Sequence, residues 1–281
     1  MLISVVIPTY NRLPILRKCL DALENQILNV EIHSFEIVIV DDGSTDGTVD
    51  WLRKNIETYP HLRLFEQSHG GPALGRNLGV EKSKGELIVF IDSDLVVDKF
   101  FLRNHIDSLF RAWKKLGNRK CFTYGSVINT SNFSNPNSEP FKLQDLSWAY
   151  FATGNVAIDK KLLEKSGLFD NSFRLYGWED LELGERLRNM GVKLIKCPRA
   201  IGYHWHPALA LDQIPQLIRI EKERAKMGLV FYRKHPTLRV KFIIQYTFFH
   251  RCLWEFLTFG GLINTKSLRP LLAFLINNGQ S

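Results

Sequence analysis

The stretch that most constrains this chain is Leu87-Ile88-Val89-Phe90-Ile91-Asp92-Ser93-Asp94, an apolar run that stops abruptly on two carboxylates. Five consecutive apolar residues, rich in β-branched and aromatic side chains, predict a strand covered on both faces of a sheet. Asp92 and Asp94 then fall at its carboxyl end, where ligands bind in open α/β sheets. Two aspartates one residue apart can reach together toward a divalent cation or its water shell. Asp is also a favoured turn residue, so the pair alone reads equally as loop punctuation.

The preceding chain alternates strand and helix. Ile3 to Ile7 is a buried-strand pattern punctuated by Pro8-Thr9-Tyr10-Asn11, and Leu13, Leu16, Leu20, Leu23 and Ile27 follow at helical spacing. A second strand, Phe35 to Val40, also ends on acids, Asp41-Asp42-Gly43-Ser44. A helix from Thr48 to Ile56, a strand at Leu62 to Phe65 and a helix opened by Gly70-Gly71-Pro72 lead to the stretch described first. Such β-α repeats predict a mainly parallel sheet flanked by helices, with Asp41/Asp42 and Asp92/Asp94 facing one crevice. The Gly-x-Gly-x-x-Gly fingerprint and the Walker lysine loop are missing, which disfavours dinucleotide redox chemistry and P-loop phosphoryl transfer.

Past Asp98 the pattern predicts a helix to Leu116 and a strand at Cys121 to Val127. A polar loop follows, Asn129 to Pro140, whose composition suits a mobile segment near a site. Thr153 to Ile158 reads as a strand, and Gly177-Trp178-Glu179-Asp180 opens a helix running through Met190. Val192 to Cys197 is a further strand, leading into a loop with His204 and His206. The remainder reads as helices at Ile214 to Arg233 and Lys241 to Leu262, with a shorter one after Ser267.

Charge and cysteines narrow the partners. A net charge of +8 with no zinc-finger spacing, RNA-binding aromatic motif or long Lys/Arg run argues against nucleic acid and for a membrane surface or a phosphorylated ligand. Cys19, Cys121, Cys197 and Cys252 form no C-x-x-C pair, as expected of buried thiols in a reducing, cytoplasmic setting. The N-terminus enters a strand without a basic flank and long apolar segment, so no secretory signal is expected. The helix after Lys241 is apolar and aromatic but is interrupted by His250, Arg251 and Glu255, which leaves it short of a membrane span. Arg233, Lys234, Arg239 and Lys241 precede it, a pattern that suits a helix lying at the inner face of a membrane or, alternatively, packed on the protein's own core.

With these pieces in order, the first 210 residues resemble the family 2 glycosyltransferases of the GT-A fold. The resemblance is carried by Val5 to Asn11, Val40 to Thr48, Gly71-Pro72 with Arg76-Asn77, Phe90 to Asp94, and Gly177 to Asp180. It implies a GT-A domain over residues 1–210, with a nucleotide-binding half at 1–98, an acceptor-binding half at 99–210 and a helical C-terminal extension at 211–281. The implied reaction is inverting transfer of a sugar from a nucleotide-sugar, a UDP-sugar being expected, to a hydroxyl of a glycan or lipid-linked acceptor.

The resemblance also implies roles. Asp42, with Asp41, Arg76, Asp92, Ser93 and the loop Pro8, Thr9, Tyr10 and Asn11, would hold the nucleotide. Asp94, assisted by Asp92 within Asp92-Ser93-Asp94, would hold Mn²⁺ or Mg²⁺, with His204 completing the shell. Gly154 and Asn155 would lie under the donor sugar, Trp178 and Glu179 would hold the acceptor, and Asp180 would be the general base. Two rival classes use overlapping residues. A haloacid-dehalogenase-like phosphohydrolase also sets Asp-x-Asp after an apolar strand, but usually the first strand of the chain. A non-catalytic nucleotide-sugar-binding or membrane-associated protein would need neither the metal pair nor the base.

Overall fold

The structure is a computed structural model, and it describes residues 1–29, 33–140, 150–207, 210–264, 267–268, 270 and 273–274. The chain divides into two compact units, one of residues 1–174 and 179–207, the other of residues 175–178 and 208–281.

The first unit is built on an eight-stranded sheet in the order β3-β2-β1-β4-β7-β6-β8-β5. β1 (Leu2–Thr9), β2 (Ser34–Asp41), β3 (Leu62–Glu66) and β4 (Leu87–Ile91) run parallel, joined by α1 (Leu13–Glu24), α2 (Thr48–Lys54) and α3 (Pro72–Lys82). β5 (Leu95–Val97), α4 (Phe101–Leu116), β6 (Cys121–Thr130), β7 (Asn155–Asp159), α5 (Lys160–Lys165), α6 (Glu179–Asn189) and β8 (Lys193–Trp205) complete it. β7 pairs antiparallel with β4 and β6, so the sheet is mixed.

β4 is central because both its faces are covered. Leu87, Val89 and Ile91 join one apolar cluster, with α1 and α4, while Ile88 and Phe90 join the other, with Ala73 and Val80 of α3 and Leu183 and Leu187 of α6. The period-two alternation therefore separates two cores rather than a core from solvent. Close approach of α3 to the sheet depends on Gly79, where a Cβ would meet Val6 Cγ1 at 2.3 Å.

Several expected boundaries move. α1 ends at Glu24, so Ile27 lies outside it and is exposed. α2 stops at Lys54, and Ile56–Thr58 form a separate 3₁₀ turn. β8 extends past Cys197 to Trp205, which puts His204 on a strand and not in a loop with His206. Pro198 is tolerated because the β6–β8 register shifts between Gly125 and Ser126, from Cys197 to Ile201. Part of the expected polar loop is strand as far as Thr130, and Pro136–Ser138 form a 3₁₀ turn. β5 has no counterpart in the sequence reading.

The second unit contains α7 (Ile214–Lys234), α8 (Leu238–Ile243) and α9 (Phe248–Leu257). The single helix expected from Lys241 to Leu262 is broken after Ile243, where Gln245 takes a φ of 56° and Thr247 caps α9 by accepting from the His250 amide. The helix expected after Ser267 falls largely outside the described residues. Cys19, Cys121 and Cys197 are buried free thiols as expected, but Cys252 on α9 is exposed.

Candidate functional site

The carboxyl ends of β1, β2 and β4 bring three loops together, because these strands are parallel neighbours. Thr9 is in register with Asp41, and the Asp42 amide donates to the Thr9 carbonyl at 2.9 Å. The two loops are clipped to each other: Asn11 Oδ1 accepts from the Thr45 amide at 2.7 Å, and Asp46 accepts from the Leu13 amide at 3.0 Å. Pro8, near the end of β1, lies against Gly75 of α3, and Tyr10 is exposed with its ring stacked on His69 at 4.4 Å.

The adjacent aspartates have different surroundings. Asp42 is buried and its carboxylate accepts from Gln67 Nε2 at 2.7 Å, the Gly70 amide at 2.8 Å and the Gly71 amide at 2.9 Å, with His69 Nδ1 at 2.9 Å. This side chain is committed to holding the loop from Gln67 to Gly71. Asp41 is also buried, and its Oδ1 accepts from the Gly43 and Ser44 amides. Its Oδ2 has no hydrogen-bond partner among the described residues. Asp41 lines a cavity of about 360 Å³ with Gly43, Ser44, Val49, Glu66 and Gln67. A buried acceptor left unpaired is costly unless a ligand satisfies it. Replacing Asp42 with Ala should therefore act on stability, by about 2–4 kcal/mol in urea denaturation, because one buried and two part-buried donors lose their acceptor.

At the end of β4 the chain turns, the Leu95 amide donating to the Asp92 carbonyl at 3.1 Å, and enters β5 at once. β5 pairs antiparallel with β8 through Leu95 and His204, and the Trp205 amide donates to the Asp94 carbonyl at 2.9 Å. That register is what brings Asp94 and His204 together. Gly202 permits it, since a Cβ there would meet Leu95 Cδ2 at 2.5 Å. His204 Nε2 lies 2.9 Å from Asp94 Oδ1, and ligand atoms of Asp92, Asp94 and His204 fall within 4.8 Å of one another. His206 Nε2 is 3.0 Å from His204 Nδ1. Burial opposes charge on both members of the Asp94–His204 pair, but their mutual hydrogen bond and attraction outweigh it. Asp94 is held below the usual carboxylate range and His204 above the usual imidazole range. Two carboxylates and one imidazole form a donor set that fits Mn²⁺ and, through the oxygens, Mg²⁺.

Arg76 joins this centre to the start of α6. Buried on α3, it donates from Nη2 to Asp92 Oδ1 at 3.0 Å and from Nη1 to Glu179 Oε1 at 2.8 Å. Its Nε and Glu179 Oε2 are buried without partners among the described residues. The nucleotide-contact expectation for Arg76 thus meets a side chain already engaged by two acids. Asp180, next along α6, has its pKa pushed up to about 7, first by burial and then by the charge of Glu179, with Arg76 opposing. The helix N-terminus favours carboxylates at these positions, and the Leu181 amide donates to Asp180 Oδ1 at 2.8 Å.

Gly154 lies beside the acid pair, where a Cβ would come 3.2 Å from Asp92 Oδ2. Asn155 is wholly buried: its Nδ2 donates to the Ser126 and Ala200 carbonyls, and its Oδ1 faces His105 Nε2 at 2.9 Å. Its amide holds the sheet together and leaves only Gly154 to line the crevice. Ser93 is buried, its carbonyl accepting from Cys19 Sγ. Trp178 belongs to the second unit, where its indole N–H donates to the Arg224 carbonyl at 2.7 Å and the Arg224 guanidinium lies 4.7 Å over its ring. Gly177 and Trp178 take φ values of 99° and 74°, a turn that glycine adopts freely and tryptophan does not. Sequence reasoning missed Arg12, whose Nη2 lies 3.8 Å from Asp94 Oδ2. It directly follows Pro8 to Asn11, so a reading carried one residue further would have found it.

The profile of glycosyl transferase family 2 matches residues 4–167, more than half of the chain. The chain belongs to this family. A second profile, described as the N-terminal domain of galactosyltransferase, matches residues 135–207. The chondroitin synthase of Pasteurella multocida is 26% identical over 241 residues, which is 73% of this chain and 25% of the synthase. The chain thus spans about a quarter of that relative's length. Among solved structures, the mannosyltransferase of Pyrobaculum calidifontis in complex with GDP-Man and Mn²⁺ is similar at a TM-score of 0.57 and 23% identity, covering 87% of this chain and 68% of that one. GalNAc-T7 with UDP, GalNAc and Mn²⁺ is similar at a TM-score of 0.59 and 19% identity, covering 74% and 44%. These likenesses establish the GT-A fold. Family membership also sets aside the phosphohydrolase alternative.

Proposed function

We propose that this glycosyltransferase moves a sugar from a UDP-sugar to an acceptor hydroxyl with inversion, and that a divalent cation at Asp94, Asp92 and His204 is required. The observation that carries the proposal is the convergence of those three donor sets within 4.8 Å at the carboxyl end of β4. The relatives solved with nucleotide or nucleotide-sugar and Mn²⁺ support the same reading. A cation bound there would supply positive charge to the departing nucleotide diphosphate. Arg12, 3.8 Å from Asp94, adds a second positive charge on the same side.

At the nucleoside end the unpaired acceptor is Asp41 Oδ2, and it takes over the role the sequence assigned to Asp42. One acceptor oxygen matches the single ring N–H of uracil, whereas guanine presents two adjacent donors and would leave one unmatched. Asp180 acts as the base that takes the acceptor proton. Its carboxyl, held near neutrality by burial and Glu179, is a stronger base than an exposed aspartate. Glu179 Oε2 remains open to accept from a sugar hydroxyl while Oε1 is fixed by Arg76.

The test is a thermal-shift panel of nucleotide sugars with and without Mn²⁺. A ligand at 100 times its dissociation constant stabilises the native state by about 2.7 kcal/mol, so UDP-sugars should raise Tm by several degrees and chelator should abolish the shift. GDP-sugars giving the larger shift would overturn the uracil assignment. His204→Ala should weaken Mn²⁺ binding about 10-fold or more in calorimetry, and an unchanged affinity would remove His204 from the ligand set.

A further inference from the structure

The net charge of +8 is not spread along the chain. Residues 225–281 carry eight Lys and Arg against the single acid Glu255, so this segment holds seven of the eight net charges. The catalytic part is therefore almost neutral, and the excess has no role in the site described above.

The same segment carries the largest run of exposed apolar side chains. α9 has no buried residue; Phe248 is 81% and Phe256 75% exposed, and Leu238 at the start of α8 is 74% exposed. On a helical projection Phe248, Phe249, Cys252, Leu253, Phe256 and Leu257 cover one half of α9, while His250, Trp254, Arg251 and Glu255 occupy the other. The cations lie on the same helices: Lys226, Arg233 and Lys234 of α7 are exposed, Arg239 and Lys241 of α8 are half-buried, and Arg251 of α9 is exposed and paired to Glu255 at 3.1 Å. Soluble proteins rarely leave so much contiguous apolar surface uncovered. No described helix is long and apolar enough to cross a membrane.

An apolar half-cylinder on a segment with eight cations and one acid matches one occupant chemically, a bilayer with anionic headgroups. The aromatic side chains enter the headgroup boundary and the cations pair with lipid phosphates. We infer that α8 and α9 form a monotopic docking surface for an anionic lipid bilayer, with α9 lying in the plane of the interface. This goes beyond the transfer reaction and does not depend on the donor or base assignments.

The experiment is flotation of the full chain with vesicles of phosphatidylcholine alone or with 30% phosphatidylglycerol, beside light scattering of the protein alone. Binding is expected on the anionic vesicles and should fall at least about tenfold on raising NaCl from 0.1 to 0.5 M, because exposed charges are screened. The double variant Phe248→Ser/Phe256→Ser and the triple variant Lys226→Gln/Arg239→Gln/Lys241→Gln should each lose at least about tenfold in partitioning, with UDP-sugar hydrolysis unchanged. The inference is overturned by a chain that stays with the unbound fraction, by binding indifferent to anionic lipid or to both variants, or by a dimer that Phe248→Ser/Phe256→Ser dissociates, which would make a second copy the occupant.

Discussion

Asp180→Asn is expected to lower turnover roughly 10³-fold while leaving Mn²⁺-dependent binding of a UDP-sugar intact, because the amide cannot take a proton yet keeps the shape of the carboxyl. Hydrolysis of the donor serves as the assay without an acceptor, since water also needs a base. The wild-type rate should rise with pH and level off above about 7, the region to which burial and Glu179 push the Asp180 carboxyl, and the variant should lose this limb. Stability gives an independent check on the sign. An acid whose pKa is raised in the native state contributes stability that is complete below its unfolded value, near 3.8, and is lost as pH rises through about 7. The Asn variant should therefore melt about 2–5 °C higher than wild type at pH 8, and the gap should close as the pH falls toward 4. Near-normal turnover in this variant would remove Asp180 from the chemistry, and equal melting at pH 8 would remove the reason given for its basicity.

The second large effect is expected at Asp94. Asp94→Asn should lower turnover about 10²- to 10⁴-fold and, unlike Asp180→Asn, make donor binding indifferent to Mn²⁺. Asp94 also raises the His204 pKa against the pull of burial, through a 2.9 Å contact. Without that partner burial dominates, and the His204 imidazole should titrate below its wild-type value in an NMR titration. A proton on His204 competes with the cation, so wild-type metal affinity should fall as pH drops below the imidazole's raised pKa. Metal-dependent donor binding that survives Asp94→Asn would move the cation site elsewhere.

Much of this site was legible because its residues follow strands with strong local patterns. β1, β2 and β4 are unbroken apolar runs, and a parallel arrangement of their carboxyl ends suffices to gather Thr9, Asp41, Asp92 and Asp94. The helix opened by Glu179-Asp180 was legible from the glycine turn and acidic first turn. What local pattern does not encode is long-range pairing. β5 is only three residues, and its partner lies more than 100 residues away, so the contact of His204 with Asp94 depends on a register invisible in either segment. Pro198 made β8 read as ending at Cys197, although a register shift in the β6–β8 pair accommodates it. Side-chain commitment was equally hidden. Asp42 and Asn155 are polar residues at the expected places, yet both are consumed by internal hydrogen bonds, whereas Asp41 keeps an oxygen free. In α8 and α9 the apolar run was continuous enough to read as one helix, and the break at Gln245 depends on a left-handed residue that composition does not announce.

Direct displacement assisted by Asp180 would fix the stereochemistry of the product. Attack on the face opposite the nucleotide diphosphate inverts the anomeric carbon, whether the nucleophile is a sugar hydroxyl or water. The decisive measurement is proton NMR of UDP-α-sugar hydrolysis by the full chain in Mn²⁺, read before the released sugar mutarotates. The β-anomer is expected as first product. First release of the α-anomer would contradict it.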